Sequence, residues 1–172
     1  MKLRTKQITF LGMMLVFSML VSYLERLIPP PIPAVPGIKL GLANIVVLIL
    51  LYTKGYKTAL ILNIMRVLLS GLLFTGIWGA AYSMTGALLS FAMMLIFKAF
   101  KCFGIVGVSV VGGVCHNFGQ ICIAVIVTQT TKLFYYLPVL IISGVITGAV
   151  IGYVAGILLI RIQKSDIKHL YS

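Results

Sequence analysis

Acidic residues are almost missing from this sequence. The 172 residues include one glutamate, Glu25, and one aspartate, Asp166. A catalytic carboxylate pair is therefore hard to assemble, and a magnesium site, which needs several oxygen ligands in near-octahedral geometry, cannot be built from acids here. The sequence also lacks the GxSxG and HExxH motifs and a lysine-containing, glycine-rich phosphate loop. We therefore predict that the chain is not an enzyme, holds no metal or cofactor and hydrolyses no ATP itself.

Cysteine and charge are also scarce. The three cysteines, Cys102, Cys115 and Cys122, form no CxxC pair, so we interpret them as packing residues without a redox or metal role. Only 9% of the residues are charged, whereas 61% are hydrophobic and the mean hydropathy is +1.16. One small soluble domain cannot bury that much apolar surface. The sequence therefore predicts an integral membrane protein.

The charge that is present is strongly basic. Fourteen Lys and Arg residues against two acids give a formal net charge of +12. In a soluble protein such a charge is typical of nucleic-acid binding, but in a membrane protein basic residues collect in cytoplasmic loops and contact anionic lipid. We therefore expect membrane lipid, and no nucleic acid, as the partner of this charge.

Apolar stretches of membrane-spanning length recur along the chain. A helix rises about 1.5 Å per residue, so about 20 residues cross the roughly 30 Å hydrocarbon core. Six stretches qualify or nearly do, at about 8–28, 39–53, 57–75, 78–97, 104–128 and 134–160. The first reads as an uncleaved span because no small-residue cleavage site follows it, and the second is short enough for a re-entrant or interfacial piece. The predicted fold is all-α, with six helices in a single transmembrane domain over residues 1–172.

The distribution of basic residues supports six crossings. With both termini in the cytoplasm, three basic residues, Arg26, Lys39 and Lys132, lie outside and ten lie inside. If the second stretch does not cross, the count becomes four inside and nine outside. Because basic residues favour the cytoplasmic side, we predict six crossings of the cell membrane with both termini in the cytoplasm. The ten inside residues are Lys2, Arg4, Lys6, Lys54, Lys57, Lys98, Lys101, Arg161, Lys164 and Lys168.

A proline-rich connection, PPPIPAVPGIK, follows the first span. Proline fixes the backbone and removes an N–H donor, so the segment is predicted to be extended and stiff. It is either a rigid connector or an outer lid over a binding site, and the sequence leaves both interpretations open.

The last span carries a stripe of glycines. Gly144, Gly148, Gly152 and Gly156 recur at four-residue spacing, which lets another backbone approach closely. We predict a tight helix contact on this face. Its partner is either another helix of the chain or a second protein, including a second copy.

Several polar residues interrupt the apolar stretches near the predicted centre of the membrane. Arg66 comes nine residues after Lys57, which is about 14 Å from the cytoplasmic edge. His116 reaches a similar depth in the fifth stretch, and Asn44 enters the second from the outer side. These three side chains are therefore predicted to share one layer.

Helical spacing adds further polar side chains to this layer. Asn63 and Ser70 fall on the same face as Arg66, while Gln120 falls on the same face as His116. We predict a substrate site between the helices whose contacts are Lys39 at the mouth and, deeper, Asn44, Arg66, His116, Asn117 and Gln120.

The buried arginine needs a partner. It costs at least ~2.5 kcal/mol on insertion scales, and no carboxylate is expected at its depth, because Glu25 is predicted near the outer mouth and Asp166 in the cytoplasmic tail. Three interpretations follow. Arg66 belongs to a self-contained polar clasp between helices, or it binds the carboxylate or phosphate of a ligand, or the cluster serves a proton relay through His116.

Four stretches of the sequence are informative together: LIPPPIPAVPGIKLGLANIVVLILLYTKG, RVLLSGLLF, GVCHNFGQ and YYLPVLIISGVITG. In these stretches the chain resembles the Gx transporter family, which is often labelled heptaprenyl diphosphate synthase component I. That family is similar to the S components of energy-coupling factor transporters, which have six helices and cytoplasmic termini. The resemblance implies capture of a vitamin-like or precursor molecule from outside, with a transmembrane coupling protein and paired ATPases as partners. The alanine-x-x-x-alanine pattern of many S components is replaced in the first span by Gly12 and Val16.

The expected function is therefore binding and uptake of a small anionic, vitamin-like or isoprenoid-precursor-like molecule. The alternative is a non-transporting membrane subunit that assists isoprenoid or quinone synthesis beside a prenyltransferase. Independent prenyltransferase catalysis is not expected, because such enzymes bind magnesium through aspartate-rich motifs and this chain has a single aspartate.

Overall fold

The described part of the chain forms six α-helices. A computed structural model describes residues 5–28, 39–100 and 102–170. A π-helical turn, Gly71–Thr75, joins the third and fourth helices, and a 3-10 helix, Thr131–Tyr136, precedes the sixth. The prediction of an all-α protein is confirmed over these residues. The helices are α1 (Thr5–Arg26), α2 (Asn44–Thr53), α3 (Tyr56–Ser70), α4 (Gly76–Ala99), α5 (Ile105–Thr128) and α6 (Leu137–Leu170).

Four helical stretches of the described residues are long and apolar enough to cross a membrane. They are Gln7–Arg26, Tyr56–Ala99, Ile105–Thr128 and Thr131–Ile162. α2 has only ten residues, a length of about 15 Å, or half the hydrocarbon thickness. These findings support a multi-pass membrane protein, and the count of six crossings stays a prediction.

The 44-residue stretch Tyr56–Ala99 contains two antiparallel helices. Gly76 has a φ of +69°, a conformation that glycine adopts without strain, and it separates the π-helical turn from α4. On either side of this break the two helices pack against each other. The Asn63 side chain on α3 donates to the Ala87 carbonyl on α4 (3.2 Å), and Gly71 faces Ala80. The stretch therefore folds back on itself as a helical hairpin.

α2 lies at the centre of the bundle. Its residues from Val46 to Leu51 are all buried, and the main hydrophobic core includes side chains from each of the other five helices packed around them. A short helix that is apolar all round is stable only when it is enclosed in this way. At its C-terminal end the Lys98 ammonium of α4 donates to the Leu51 carbonyl (2.7 Å) and lies over the Tyr52 ring.

The glycine stripe of α6 packs against α5. A Cβ atom added to Gly148 would lie 2.7 Å from the Cα of Val110, and one at Gly152 would lie 2.7 Å from the Cα of Val106. A Cβ atom added to Gly144 would lie 2.9 Å from the Cα of Val114, whereas one added to Gly156 would meet no other atom within 4 Å among the described residues. Three of the four glycines therefore lie in a contact within the chain, and the fourth faces open space.

The segment proposed as a connector or lid, PPPIPAVPGIK, falls at residues 29–39, and all of it except Lys39 lies outside the described residues.

All three cysteines are free; Cys115 and Cys122 are partly buried on α5, but Cys102 is exposed after the end of α4. The packing role predicted for Cys102 is therefore wrong, because its position in the connection between α4 and α5 leaves it exposed.

Candidate functional site

Buried polar side chains converge where the chain enters α2. They come from α1, from the segment before α2, and from α2, α3 and α5, so that every described helix except α4 and α6 contributes a polar side chain. We call this group the polar cluster. Its members are Glu25, Lys39, Asn44, Asn63, Arg66, His116 and Gln120.

Arg66 is the central member of the polar cluster. Its side chain is only 5% exposed, and its Nη2 donates to Oδ1 of Asn63 (2.8 Å) and, over a longer distance of 3.5 Å, to Oδ1 of Asn44. Two buried nitrogen atoms beside this bond, Nε of Arg66 and Nδ2 of Asn44, have no hydrogen-bond partner among the described residues. Both are donors, so together they require an acceptor.

His116 and Gln120 hold the chain segment that precedes α2. The backbone N–H of Lys39 donates to Oε1 of Gln120 (2.8 Å), which leaves the Gln120 amide nitrogen 2.6 Å from Nε2 of His116. Because this amide nitrogen donates, Nε2 of His116 accepts and the imidazole is neutral. Gly41, with a φ of +85°, passes so close to the imidazole that a Cβ there would lie 2.8 Å from its Cδ2 atom. His116 is thus a positioning residue and is not a free cation.

Glu25 belongs to the polar cluster although the sequence placed it at the outer mouth. Its Oε1 accepts hydrogen bonds from the backbone N–H groups of Gly41 and of Leu42 (3.3 Å for the latter), at the start of α2. Gly41 also lies against the side chains of His116 and Asn44, and Asn44 accepts from Arg66. The expectation that no carboxylate lies at the depth of Arg66 is therefore wrong.

The reason for this error is the path of the chain before α2. Lys39 is bonded to Gln120, which precedes the last residue of α5 by eight positions, or about 12 Å along the helix. The segment 39–43 thus enters the bundle, and the last turn of α1 reaches it. A signal was present in the sequence, because Ser18, Ser22 and Glu25 share one face of α1, and all three are buried.

Asn117 does not join the polar cluster. Its Nδ2 donates to the carbonyl oxygen of Leu140 (2.8 Å) and to Oγ of Ser143 (3.4 Å), both on α6. The structure therefore places Asn117 in the contact between α5 and α6, whereas Gln120, three residues further along α5, bonds to the segment before α2. Asn63, by contrast, was noted on the face of Arg66 but not predicted as a contact, and it is the nearest partner of the guanidinium.

Lys39 is the member of the polar cluster that lies outside the helices. It is partly buried, and its backbone N–H donates to Gln120. Two residues further on, the backbone N–H of Gly41 donates to Glu25. Lys39 therefore enters the bundle next to the segment that binds the Glu25 carboxyl group.

The fold and the polar cluster define an all-α, multi-pass membrane protein with a buried, predominantly donor-lined polar site. Among known families, the chain matches the family model described as heptaprenyl diphosphate synthase component I over residues 14–158. The protein belongs to that family, and the family resemblance predicted from the sequence is confirmed. Searches of the curated proteins and of the solved structures found no match.

Proposed function

We propose that this protein is a membrane substrate-binding protein for uptake, and that the polar cluster holds a carboxylate, phosphate or other acceptor group of a small molecule. The observation that carries the proposal is the pair of buried, unpartnered donors, Nε of Arg66 and Nδ2 of Asn44. A buried donor without an acceptor costs about 1–3 kcal/mol, and more where the donor is charged. A ligand acceptor relieves both costs at once.

The surrounding contacts favour a site over a self-contained clasp. Asn63 and Asn44 use their carbonyl oxygens on one end of the Arg66 guanidinium, which leaves its Nε edge to bind something else. An anion held by Nε of an arginine and a neighbouring amide is a charge-assisted arrangement of the stronger kind. His116 and Gln120 support this geometry indirectly, since they fix the segment that carries Lys39 into the bundle.

The proposal includes a topology with six crossings and cytoplasmic termini. In it, α2 traverses only the cytoplasmic half of the membrane, residues 39–43 lie in the outer half, and the ligand enters from outside past Lys39. The excess of basic residues on the cytoplasmic side supports this orientation.

Cysteine labelling in intact cells tests this topology. In a background with the three native cysteines replaced by serine, we expect Lys132→Cys to react with a membrane-impermeant maleimide and Lys57→Cys to react only after permeabilisation. Both positions are exposed at the ends of helices. The reverse pattern would show that α2 does not complete a crossing, because every later connection then changes sides.

An energy source has to come from outside this chain, and a coupling protein with ATPase subunits is the partner that the likeness to S components implies. The Gly12–Val16 pair lies on the exposed face of α1, where such a partner can dock. A second candidate function follows from the family's description: a membrane subunit that assists heptaprenyl diphosphate synthesis beside a separate prenyltransferase.

Native mass spectrometry of the protein purified in mild detergent tests the proposed function. We expect a small molecule bearing a carboxylate or phosphate to be retained by the wild-type chain, and a coupling protein with ATPases to be recovered in a parallel affinity purification. Recovery of a soluble prenyltransferase, with no small molecule retained, would instead support the second candidate.

A further inference from the structure

We propose that Glu25 makes the site selective for a single negative charge, so that it binds a monoanion such as a carboxylate in preference to a phosphate dianion or a diphosphate. This inference rests on the proposed function and names the substrate class of the same site. It assigns Glu25 the role of a specificity-determining residue.

The ionisable side chains around the site determine which ligand charge it can neutralise. Two basic side chains, Lys39 and Arg66, and one carboxyl group, Glu25, meet at the segment before α2. Glu25 accepts from the N–H of Gly41, two residues after Lys39, and Arg66 donates to Asn44, three residues after Gly41. The two backbone N–H groups that donate to Glu25 favour its ionised form, so one positive charge is left for a ligand to neutralise. His116 on α5 adds no charge, because its Nε2 accepts from Gln120. Arg26, at the end of α1, is exposed, so solvent and headgroups screen it.

The connection between α1 and Lys39 does not alter this balance. Residues 29–38, which connect α1 to Lys39, contain only proline, isoleucine, alanine, valine and glycine, and thus no ionisable side chain. The other acid of the chain, Asp166, lies near the opposite, C-terminal end of α6. A ligand at Arg66 therefore meets one acidic neighbour, Glu25.

The position of Glu25 is fixed by its hydrogen bonds. Two backbone N–H groups, from Gly41 and Leu42, hold its Oε1 at the start of α2, so the carboxylate cannot swing away when a second anion binds at Arg66. In a buried site of low dielectric constant, repulsion between two nearby negative charges is strong. A monoanion leaves the group of charges neutral, whereas a dianion leaves an excess negative charge beside Glu25.

A matched pair of probes tests this inference. Hexanoate and hexyl phosphate have the same alkyl chain, and at about pH 8 the phosphate is mostly a dianion. For wild-type protein in nanodiscs, isothermal titration calorimetry is expected to show hexanoate binding at least about tenfold more tightly. In Glu25→Gln, which keeps an oxygen acceptor for Gly41 and Leu42 but removes the charge, we expect the preference to shift toward hexyl phosphate by about tenfold or more.

The control is Asn117→Ala, which removes a buried polar side chain that bonds α6 and not the cluster. It is expected to leave the ratio of the two affinities unchanged. If Glu25→Gln does not fold, titrating both probes against wild type from about pH 6 to about pH 8 tests the charge preference itself, since hexanoate stays a monoanion while hexyl phosphate gains its second charge in that range. We expect its affinity to fall as it becomes a dianion.

The outcomes separate this inference from the function on which it depends. Equal or tighter binding of the phosphate dianion to wild type, or an unchanged ratio in Glu25→Gln, would overturn the role of Glu25 while leaving an anion-binding protein. Failure of the wild-type protein to bind either probe would overturn the proposed function, and the charge selectivity with it.

Discussion

Replacing Gly148 with leucine is expected to break the contact between α5 and α6, whereas the same replacement at Gly156 is expected to be tolerated. A Cβ atom at Gly148 would lie 2.7 Å from the Cα of Val110 and 2.8 Å from the carbonyl oxygen of Ser109, and backbone atoms cannot move aside as a flexible side chain can. We expect a loss of about 3 kcal/mol or more from the free energy of unfolding. Unfolding in mixed micelles with increasing SDS measures it.

Gly156→Leu is the matched control, because Gly156 lies on the same stripe and a Cβ atom added there would meet no other atom within 4 Å among the described residues. Equal stability of the two variants would contradict the described packing of α6. The experiment also bears on whether the stripe binds a second copy of the chain. Since Gly144, Gly148 and Gly152 already face α5, we expect no change of oligomeric state in Gly156→Leu, and dissociation of an oligomer would show that the end of the stripe is an intermolecular contact.

Replacing Arg66 with alanine is expected to abolish binding of an anionic ligand. The change removes the charged donor of the site and leaves the carbonyl oxygens of Asn63 and Asn44 without their guanidinium partner. Loss of one member of a buried, charged hydrogen-bonded pair costs about 2–5 kcal/mol, which corresponds to a fall in affinity of roughly 30-fold to several thousandfold. Titration with hexanoate, or with a molecule that co-purifies with the wild-type protein, measures the loss.

Asn117→Ala again supplies the control for Arg66→Ala. Both variants lose a buried polar side chain from the interior of a helix, but Asn117 bonds to Leu140 on α6. We expect Asn117→Ala to lower stability by about 1 kcal/mol and to keep its affinity for the probe within about twofold. An equal loss of affinity in both variants would indicate general loosening of the bundle, and unchanged affinity in Arg66→Ala would remove Arg66 from the site.

Much of the fold could be predicted from the sequence because hydropathy and helix length follow directly from composition. The predicted stretches at about 57–75 and 78–97 correspond to the two arms of the hairpin, and Gly76 lies between them. The start of α2 could not be predicted in this way. Residues 40–43, Leu-Gly-Leu-Ala, continue the apolar stretch of the helix that follows, and the turn at Gly41 depends on contacts with Glu25 and His116, which are distant in the sequence.

The candidate site was predicted in part. Helical spacing alone placed Asn63 with Arg66 and Gln120 with His116, and the structure shows a contact within each pair. Spacing gives the face of a helix but not the identity of the helix that covers it. Asn117 was therefore assigned to the site although it bonds to α6, and Glu25 was left out although it lies beside the start of α2.

The central claim is that the Nε of Arg66 and the Nδ2 of Asn44 donate to an acceptor from outside the chain. An experimental structure of the protein as purified, in lipid nanodiscs, tests it most directly. The account predicts non-protein density within about 3 Å of both nitrogen atoms, in a form compatible with a carboxylate or phosphate. Both nitrogen atoms bonded to the protein's own carbonyl oxygens, or the Arg66 side chain turned toward the lipid, would contradict the account.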